Sequence, residues 1–398
     1  MLSWIFGKER RKTHILAIDL GTASISAVVA VRYEKNPPAG GPKSITGPCE
    51  ILKVLRYPID LFGYQISGEE QKLPFILKDG FLKIFKDAYD VSHHIDVVLI
   101  ALSGPFFLDK KAQKKIERTN PDKIISESEV DAMMKSLKKS AAAKNLFVVG
   151  HEVLGVKING YNIENAAGYK GRTLEAEIIF TLISGTLKDY IENAKEKFFP
   201  KAIARYYSDS QALWRLLKAT ENFSDPALVI DIGGEITGIF WADKNNIEHA
   251  GAAAFGIRTL ARRISASLKI DQKDVEAILR KYTLGTLDET LIMKLERVLS
   301  PALSDWWTSL KGVLKNTFTP ASAGVIPKKI IISGGGADFT LFSGFLKDSF
   351  KKDFGVDIEP QILRTEAFKD MLYPFGLLAG GGDIILSALI LFADAKKI

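Results

Sequence analysis

The stretch "ALVIDIGGEITGIFW", Ala227 to Trp241, decides how the rest of the chain is read. A run of β-formers enters Asp231, Ile232, Gly233 and Gly234, and a second such run leaves, which spells strand, tight glycine turn, strand. An acid stands at the tip. A glycine turn of this kind brings backbone N–H groups against an anion, because they form a nest and glycine permits close approach. The neighbouring acid is placed to hold Mg²⁺, usually through water. Glu235 opposes that reading. One unit charge about 6 Å from a phosphate charge costs roughly 3 kcal/mol at an effective dielectric of 20. Strand alternation offers one escape, because it can turn Glu235 away from the ligand. A single glycine hairpin proves little, since any hairpin favours glycine.

The design recurs. "HILAIDLGTASISAVVAVR", His14 to Arg32, repeats apolar strand, Asp, apolar, Gly and second strand around Asp19, so the chain reads as an internal duplication. A third strand follows each copy ("EILKVLRYPI" and "NNIEHAGAAAF"), and helices follow each meander. A further strand, "PKKIIISGGGADF", runs into Gly334, Gly335 and Gly336, where an adenosine ring can lie on bare backbone. Between the halves lies a block of another texture. Strands flank the helix "SESEVDAMMKSLKKSAAAK", whose Ser126 and Glu129 have capping-box spacing. That block predicts a compact strand-helix-strand-strand insertion over residues 97–180.

Composition bounds the function. The 398 residues carry 46% hydrophobic and 25% charged residues, as an ordinary globular protein does. The single cysteine, Cys49, excludes an internal disulfide and fits a reducing cytoplasm. The five histidines have no metal-ligand spacing with that thiol, which speaks against zinc. A net charge of +7 spread among acids reads as a solvated surface, not a nucleic-acid footprint. No segment reaches the roughly 20 apolar residues of a membrane span. In "GLLAGGGDIILSALILF", Asp383 reads as the N-cap of a buried helix. The opening "MLSWIFGKERRK" sets Trp4, Ile5 and Phe6 before Lys8, Arg10, Arg11 and Lys12. An apolar patch followed by a basic cluster fits a membrane-surface segment, each cation adding about 1 kcal/mol near anionic lipid.

The three glycine stretches "DLGTA", "DIGGEIT" and "SGGGA" resemble the nucleotide motifs of the actin superfamily. The segments "VVLIALSGPFF" and "INGYNIENAAGYKGRTLEAEI" resemble the subdomain that marks the bacterial cell-division family FtsA, and "FGIRTLARRISASLKIDQKDVEAILRKY" resembles its upper-lobe segment. The resemblance implies an α/β fold, actin-like (ribonuclease-H-like and duplicated), with two lobes, a nucleotide cleft and an inserted small α+β subdomain. The implied divisions are 1–13, a membrane-binding segment; 14–96 and 181–225, the first lobe; 97–180, the insertion; 226–254 and 317–398, the second lobe; and 255–316, its upper subdomain.

The resemblance further implies ATP with Mg²⁺, held by Asp19, Gly21, Thr22, Asp231, Gly233, Gly234, Glu276, Gly334, Gly335, Gly336 and Ala337. Asp19 and Asp231 are the metal side, through water. Gln211 sits like the glutamine that actin uses near the attacking water, with an exposed helix residue as the plainer reading. Ser24 stands where the family has lysine, Gly238 where it has aspartate, and Leu279 where a lysine meets the ribose. With Glu235 they predict weak hydrolysis and an ATP affinity that rises on Glu235→Gly. Arg258, Arg262 and Arg263 fall where the family docks the acidic-apolar tail of the tubulin-like FtsZ. The implied role is to self-associate into cytoskeletal filaments and tether FtsZ, as part of the divisome, to the inner face of the plasma membrane. The family's C-terminal amphipathic helix has no counterpart after "IILSALILFADAKK", a departure from the family that leaves the route to the membrane open. A different reading is a non-enzymatic PilM-like scaffold of a type IV pilus machinery, which shares degenerate loops and an apolar-then-basic start; the insertion argues against it. A sugar or acetate kinase needs a catalytic acid facing a substrate cleft, and the sequence singles out none.

Overall fold

The computed structural model describes residues 12–33, 48–59, 70–220, 226–317 and 329–393. The first glycine hairpin is β1 (Lys12–Leu20) and β2 (Ser24–Tyr33), extended by β3 (Cys49–Pro58). Helix α1 (Leu73–Val91) leads to β4 (Val97–Leu102). An excursion follows through β5 (Leu108–Glu117), α2 (Glu127–Ala141), β6 (Leu146–Ile158), β7 (Tyr161–Ile163) and β8 (Thr173–Ser184). The chain returns by α3 (Gly185–Phe198) to β9 (Ile203–Ser208) and α4 (Asp209–Thr220). The second half repeats the meander as β10 (Ala227–Ile232), β11 (Thr237–Ala242) and β12 (Ile247–Ala253). Helices α5 (Ile257–Leu268), α6 (Gln272–Thr283) and α7 (Glu289–Thr317) precede β13 (Lys329–Ser333). The last elements are α8 (Thr340–Phe354), β14 (Gln361–Ile362), β15 (Leu372–Tyr373) and α9 (Ile384–Phe392).

The duplication is visible in the strand order. One sheet runs β15-β3-β2-β1-β4-β9 and the other β12-β11-β10-β13-β14. Once β15 is set aside, both have the same pattern. An antiparallel meander is followed by two strands parallel to its first, as β1 pairs β4 and β10 pairs β13. Each central strand alternates between two cores, as a strand buried on both faces must. Ile15 and Ala17 face the core that also holds Ala227 and Val229. Leu16, Ile18 and Leu20 face the opposite way, with α1 and α3 residues such as Phe81 and Ile191. Leu228, Ile230 and Ile232 look outward to α5, α7 and α8 residues such as Leu260, Trp306 and Phe342. The shared core contains Trp214 of α4 and residues 384–391 of α9. Two helices are therefore sandwiched between the two sheets. That explains why α9 needs no polar face.

Two expected boundaries move. Strand β4 pairs with β1 and β9, so residues 97–102 belong to the first sheet and not to the insertion. The inserted unit is the separate sheet β5-β8-β6-β7, with α2 covering it through Met133, Leu137 and Ala141. Residues 317–398 were expected in the second lobe, yet β15 pairs with β3 in the first sheet. The physical cause is the apolar α9, which buries most area between the sheets and draws its flanking strand across. Asp383 does precede α9, but makes no side-chain cap. Its carboxylate instead accepts two bonds from Arg56 at 2.6 and 2.7 Å and one from the Ala379 N–H at 3.0 Å.

Candidate functional site

The two hairpin turns have matching geometry. The Gly21 N–H donates to the Ser24 carbonyl at 3.0 Å, and the Gly233 N–H to Ile236 at 2.9 Å. Each turn sets one aspartate near the C-terminal end of its central strand. Asp19 lies opposite Ser26, and Asp231 opposite Gly238. Both open onto a cleft of about 840 Å³, within the roughly 300–1,000 Å³ of small-molecule pockets. The start of α4 brings in a third acid, Asp209, which the sequence reading missed. The signal for it was an Asp in "SDSQALW" at a strand-to-helix junction, a place that also suits a simple cap.

The electrostatics of the three acids agree. Each has a small opening to the cleft and protein on its other sides. Loss of water pushes Asp19 up to about 7, with Asp231 and Asp383 adding repulsion and Arg56 opposing them. Desolvation, then Asp231, drives Asp209 well above the ordinary carboxylate range. Asp231 is raised by burial and partly relieved by the Ser333 hydroxyl, which donates to its Oδ1 at 2.6 Å. Asp19 Oδ1 is buried and has no hydrogen-bond partner. Carboxylates this crowded call for a cation. The oxygen donor set and the orphaned Asp19 oxygen fit Mg²⁺. The three acids are not among the described groups whose ligand atoms converge within 4.8 Å. A hydrated ion spanning them fits that spacing better than direct chelation.

Beside Asp231, Gly334 (φ 82°) and Gly336 pack on Ile232. An added Cβ on Gly334 would meet the Ile232 carbonyl at 2.5 Å, and one on Gly336 would meet Ile232 Cγ2 at 2.2 Å. Gly335 faces open space and lines the cleft, whereas Gly336 and Ala337 are buried. Gly335 thus leaves a stretch of bare backbone on the cleft wall, held there by its packed neighbours. Glu276, Leu279, Arg280 and Lys273 of α6 form the facing wall. Glu276 accepts from Arg280 at 2.8 Å, and the Arg280 guanidinium lies 6.0 Å from the Phe339 ring.

Glu235 answers its own puzzle. It is 1% exposed and turned away from the cleft, where Arg262 grips both carboxylate oxygens at 2.5 and 2.6 Å. Its backbone N–H donates to Thr22 Oγ1 at 3.0 Å, so the two glycine turns touch. The remaining arginines of α5 are committed too. Arg258 donates to the Ile59 and Ala23 carbonyls of the first lobe at 2.6 and 3.0 Å. Arg263 pairs with Asp305 at 2.6 Å on the surface. The expectation that the three guanidiniums face an acidic partner is corrected for Arg258, which ties the second half to the first, and for Arg262, which is held by Glu235 within the second half. Arg56 also reaches the cleft from β3, with its guanidinium held by Asp383. No local motif announced it.

Gln211 is corrected as well. It is fully buried, neither in the cleft nor exposed. Its amide donates to Thr181 Oγ1 at 2.9 Å and to Asp109 Oδ1 at 3.4 Å, while its oxygen accepts from the Ser208 N–H at 3.4 Å. It ties α4 to the inserted sheet. Trp4, Ile5 and Phe6 lie outside the described residues. Among the described residues, no helix is long and apolar enough to cross a membrane.

No protein-family model matches the chain, and no curated protein matches it. Solved structures do. A chain of the PilM–PilN type IV pilus biogenesis complex is 14% identical, with a TM-score of 0.57 over 96% of this chain and 98% of that one. The ethanolamine utilization protein EutJ from Carboxydothermus hydrogenoformans is 13% identical over 96% and 90%, with a TM-score of 0.45. MreB5 of Spiroplasma citri bound to AMPPNP is 13% identical over 95% of each chain, with a TM-score of 0.45. The chain shares the fold of the pilus-complex chain, an actin-like α/β fold of two duplicated sheets. With 96% of the chain covered by the pilus protein, the inserted sheet cannot lie wholly outside the likeness, so it no longer argues against that reading.

Proposed function

We propose that this chain is an actin-fold scaffold that binds ATP with Mg²⁺ in the cleft between its sheets, hydrolyses it slowly at most, and presents a nucleotide-dependent surface to a protein partner. The observation that carries the reading is the convergence of Asp19, Asp209 and Asp231 below two matched glycine turns, with Asp19 Oδ1 unpaired. Mg²⁺, when bound, offsets phosphate charge. Asp19 and Asp231 hold it through water, and Asp209 is the third acid within reach. In this reading the base rests on Gly335 and the ribose meets Glu276, both of which line the cleft. Slow turnover is supported by Gln211, which is locked into the α4–insertion contact and cannot orient an attacking water. Phosphoryl transfer depends on positioned charge, and two arginines of α5 are already spent on Glu235 and on backbone carbonyls.

For the partner, the whole-chain likeness to the pilus complex favours a scaffold of a pilus-type assembly machinery at the inner face of the membrane. A second reading, an FtsA-like tether of FtsZ filaments, draws on the segment "INGYNIENAAGYKGRTLEAEI". Titration of the full chain with ATP, with and without Mg²⁺, tests the site; no heat at millimolar ATP overturns it. Affinity capture from the source cell with ATP or ADP present tests the partner. Recovery of a pilus membrane protein supports the first reading, and recovery of FtsZ the second.

A further inference from the structure

A second cluster lies outside the cleft, at the opposite ends of the same strands. His14 stands near the start of β1, and His94 and Asp96 stand in the turn that leads into β4. One ligand atom from each converges within 4.8 Å, the one such His/Cys/Asp/Glu group among the described residues. Each histidine meets a different oxygen of the one carboxylate, at separations close to those around a metal ion. His14 Nδ1 lies 3.5 Å from Asp96 Oδ2, and His94 Nε2 lies 3.1 Å from Asp96 Oδ1. Ligands at about 2.0–2.1 Å from a tetrahedral Zn²⁺ stand roughly 3.3 Å apart.

The frame is rigid where it must be. The Asp96 N–H donates to the His14 carbonyl at 3.0 Å, and the His14 N–H returns a bond to Asp96 Oδ2 at 2.9 Å. The Asp96 carbonyl accepts from the Ile203 N–H of β9 at 3.1 Å. Ser92 Oγ holds the His94 carbonyl at 2.8 Å. The His94 side chain keeps 69% of its surface, so an ion has an entry path and the ring can swing to close the last gap.

We propose that His14, His94 and Asp96 form a binding site for a borderline divalent transition metal, Zn²⁺ or a close analogue, with water in the fourth position. Two imidazole nitrogens and one carboxylate suit such ions and not Mg²⁺ or Ca²⁺, which take oxygen ligands. The site uses no thiol, so the histidine spacing around Cys49 does not bear on it. The ligands are 80 residues apart in sequence, and only the parallel pairing of β1 with β4 joins them. The ion would clip the start of β1 to the α1–β4 turn.

The test uses the full chain stripped with a chelator and held in excess Mg²⁺, so that the cleft acids are occupied. Zn²⁺ is titrated calorimetrically, and Co²⁺ is followed by its visible absorption. The expected result is one equivalent of Zn²⁺ and a tetrahedral Co²⁺ spectrum. Affinity should fall at least about tenfold in His94→Ala and in Asp96→Asn, with no change in His93→Ala, a neighbour outside the ligand set. His94 is exposed, so that variant folds, and a wild-type melting curve without metal verifies it. Full Zn²⁺ affinity in folded His94→Ala, or no Zn²⁺ binding by wild type, overturns the proposal and leaves an ordinary histidine–aspartate contact.

Discussion

Asp19 has the clearest pH signature. Its folded-state value is about 7 against an ordinary 3.8, so between those values the folded chain holds a proton that the unfolded chain has released. This group's contribution to stability is therefore greatest below pH 4, declines as pH rises to about 7, and then levels. Mg²⁺ bound at Asp19 would reverse the sign, because it would bind the ionised acid. Melting curves without ligand should favour pH 5 over pH 8, the Mg²⁺-induced rise in melting temperature should grow from pH 6 to 8, and Asp19→Asn should flatten both trends. Glu235 gives a second test at this scale. Its carboxylate is fully buried against an Arg262 side chain that keeps 24% of its surface. Removing one partner of a buried pair costs about 3–5 kcal/mol, which that exposure lowers to roughly 2 kcal/mol. Glu235→Gly should lose that stability in denaturant titration without the gain in ATP affinity that the sequence suggested. A calorimetric affinity several-fold tighter than wild type would restore the electrostatic objection to Glu235.

Elements set what those residues can reach. The strand-to-glycine turns place Asp19 and Asp231 in equivalent positions because both halves share one hairpin design. The third glycine stretch divides its work by packing. Gly335→Ala should leave the melting temperature unchanged and weaken ATP binding, since its methyl enters only the cleft. Gly336→Ala collides with Ile232 and should cost about 1–3 kcal/mol, read as a shift in denaturant midpoint. At the α4 start, the side chains of adjacent residues have different assignments. Asp209 lines the cleft, while Gln211 and Ser208 bond to Asp109 of β5, Ser208 Oγ at 2.7 Å. Gln211→Ala leaves buried partners short of a bond and should cost about 1–3 kcal/mol, with ATP affinity held within twofold by titration. A selective loss of hydrolysis in a stable Gln211→Ala protein would return the residue to a catalytic role.

Across the whole molecule, two sheets close on a shared layer made of α4 and α9, so the halves cannot separate without exposing that apolar core. On the cleft side the contacts are polar. Arg258 reaches from α5 to the Ala23 and Ile59 carbonyls, and Glu235 N–H reaches Thr22. Polar contacts of this kind are easier to open around a ligand than the apolar helical layer. Arg258→Ala should increase amide exchange at the two glycine turns in the absence of ligand, and saturating Mg²⁺–ATP should suppress much of that increase. Unchanged exchange there would mean that the helical layer alone fixes the cleft.

The duplicated hairpins, the third glycine strand, the inserted α+β unit and the two turn acids Asp19 and Asp231 were all legible in the sequence. They are local: a strand's alternation, a turn's glycine and an acid beside it are written within a dozen residues. What only the tertiary structure decided depends on residues far apart in the chain. Glu235 was read as facing a phosphate, because the sequence does not say that Arg262, 27 residues later, would return on α5 to meet it. Gln211 was read as a water-positioning or exposed residue, because nothing nearby announces Thr181 and Asp109 on a separate sheet. Arg56 and Asp209 joined the cleft, and His14 met His94 and Asp96, through strand pairing alone. Side-chain direction at a loop is set by whichever distant charge or hydroxyl offers the better partner, and that choice is made only when the sheets have packed.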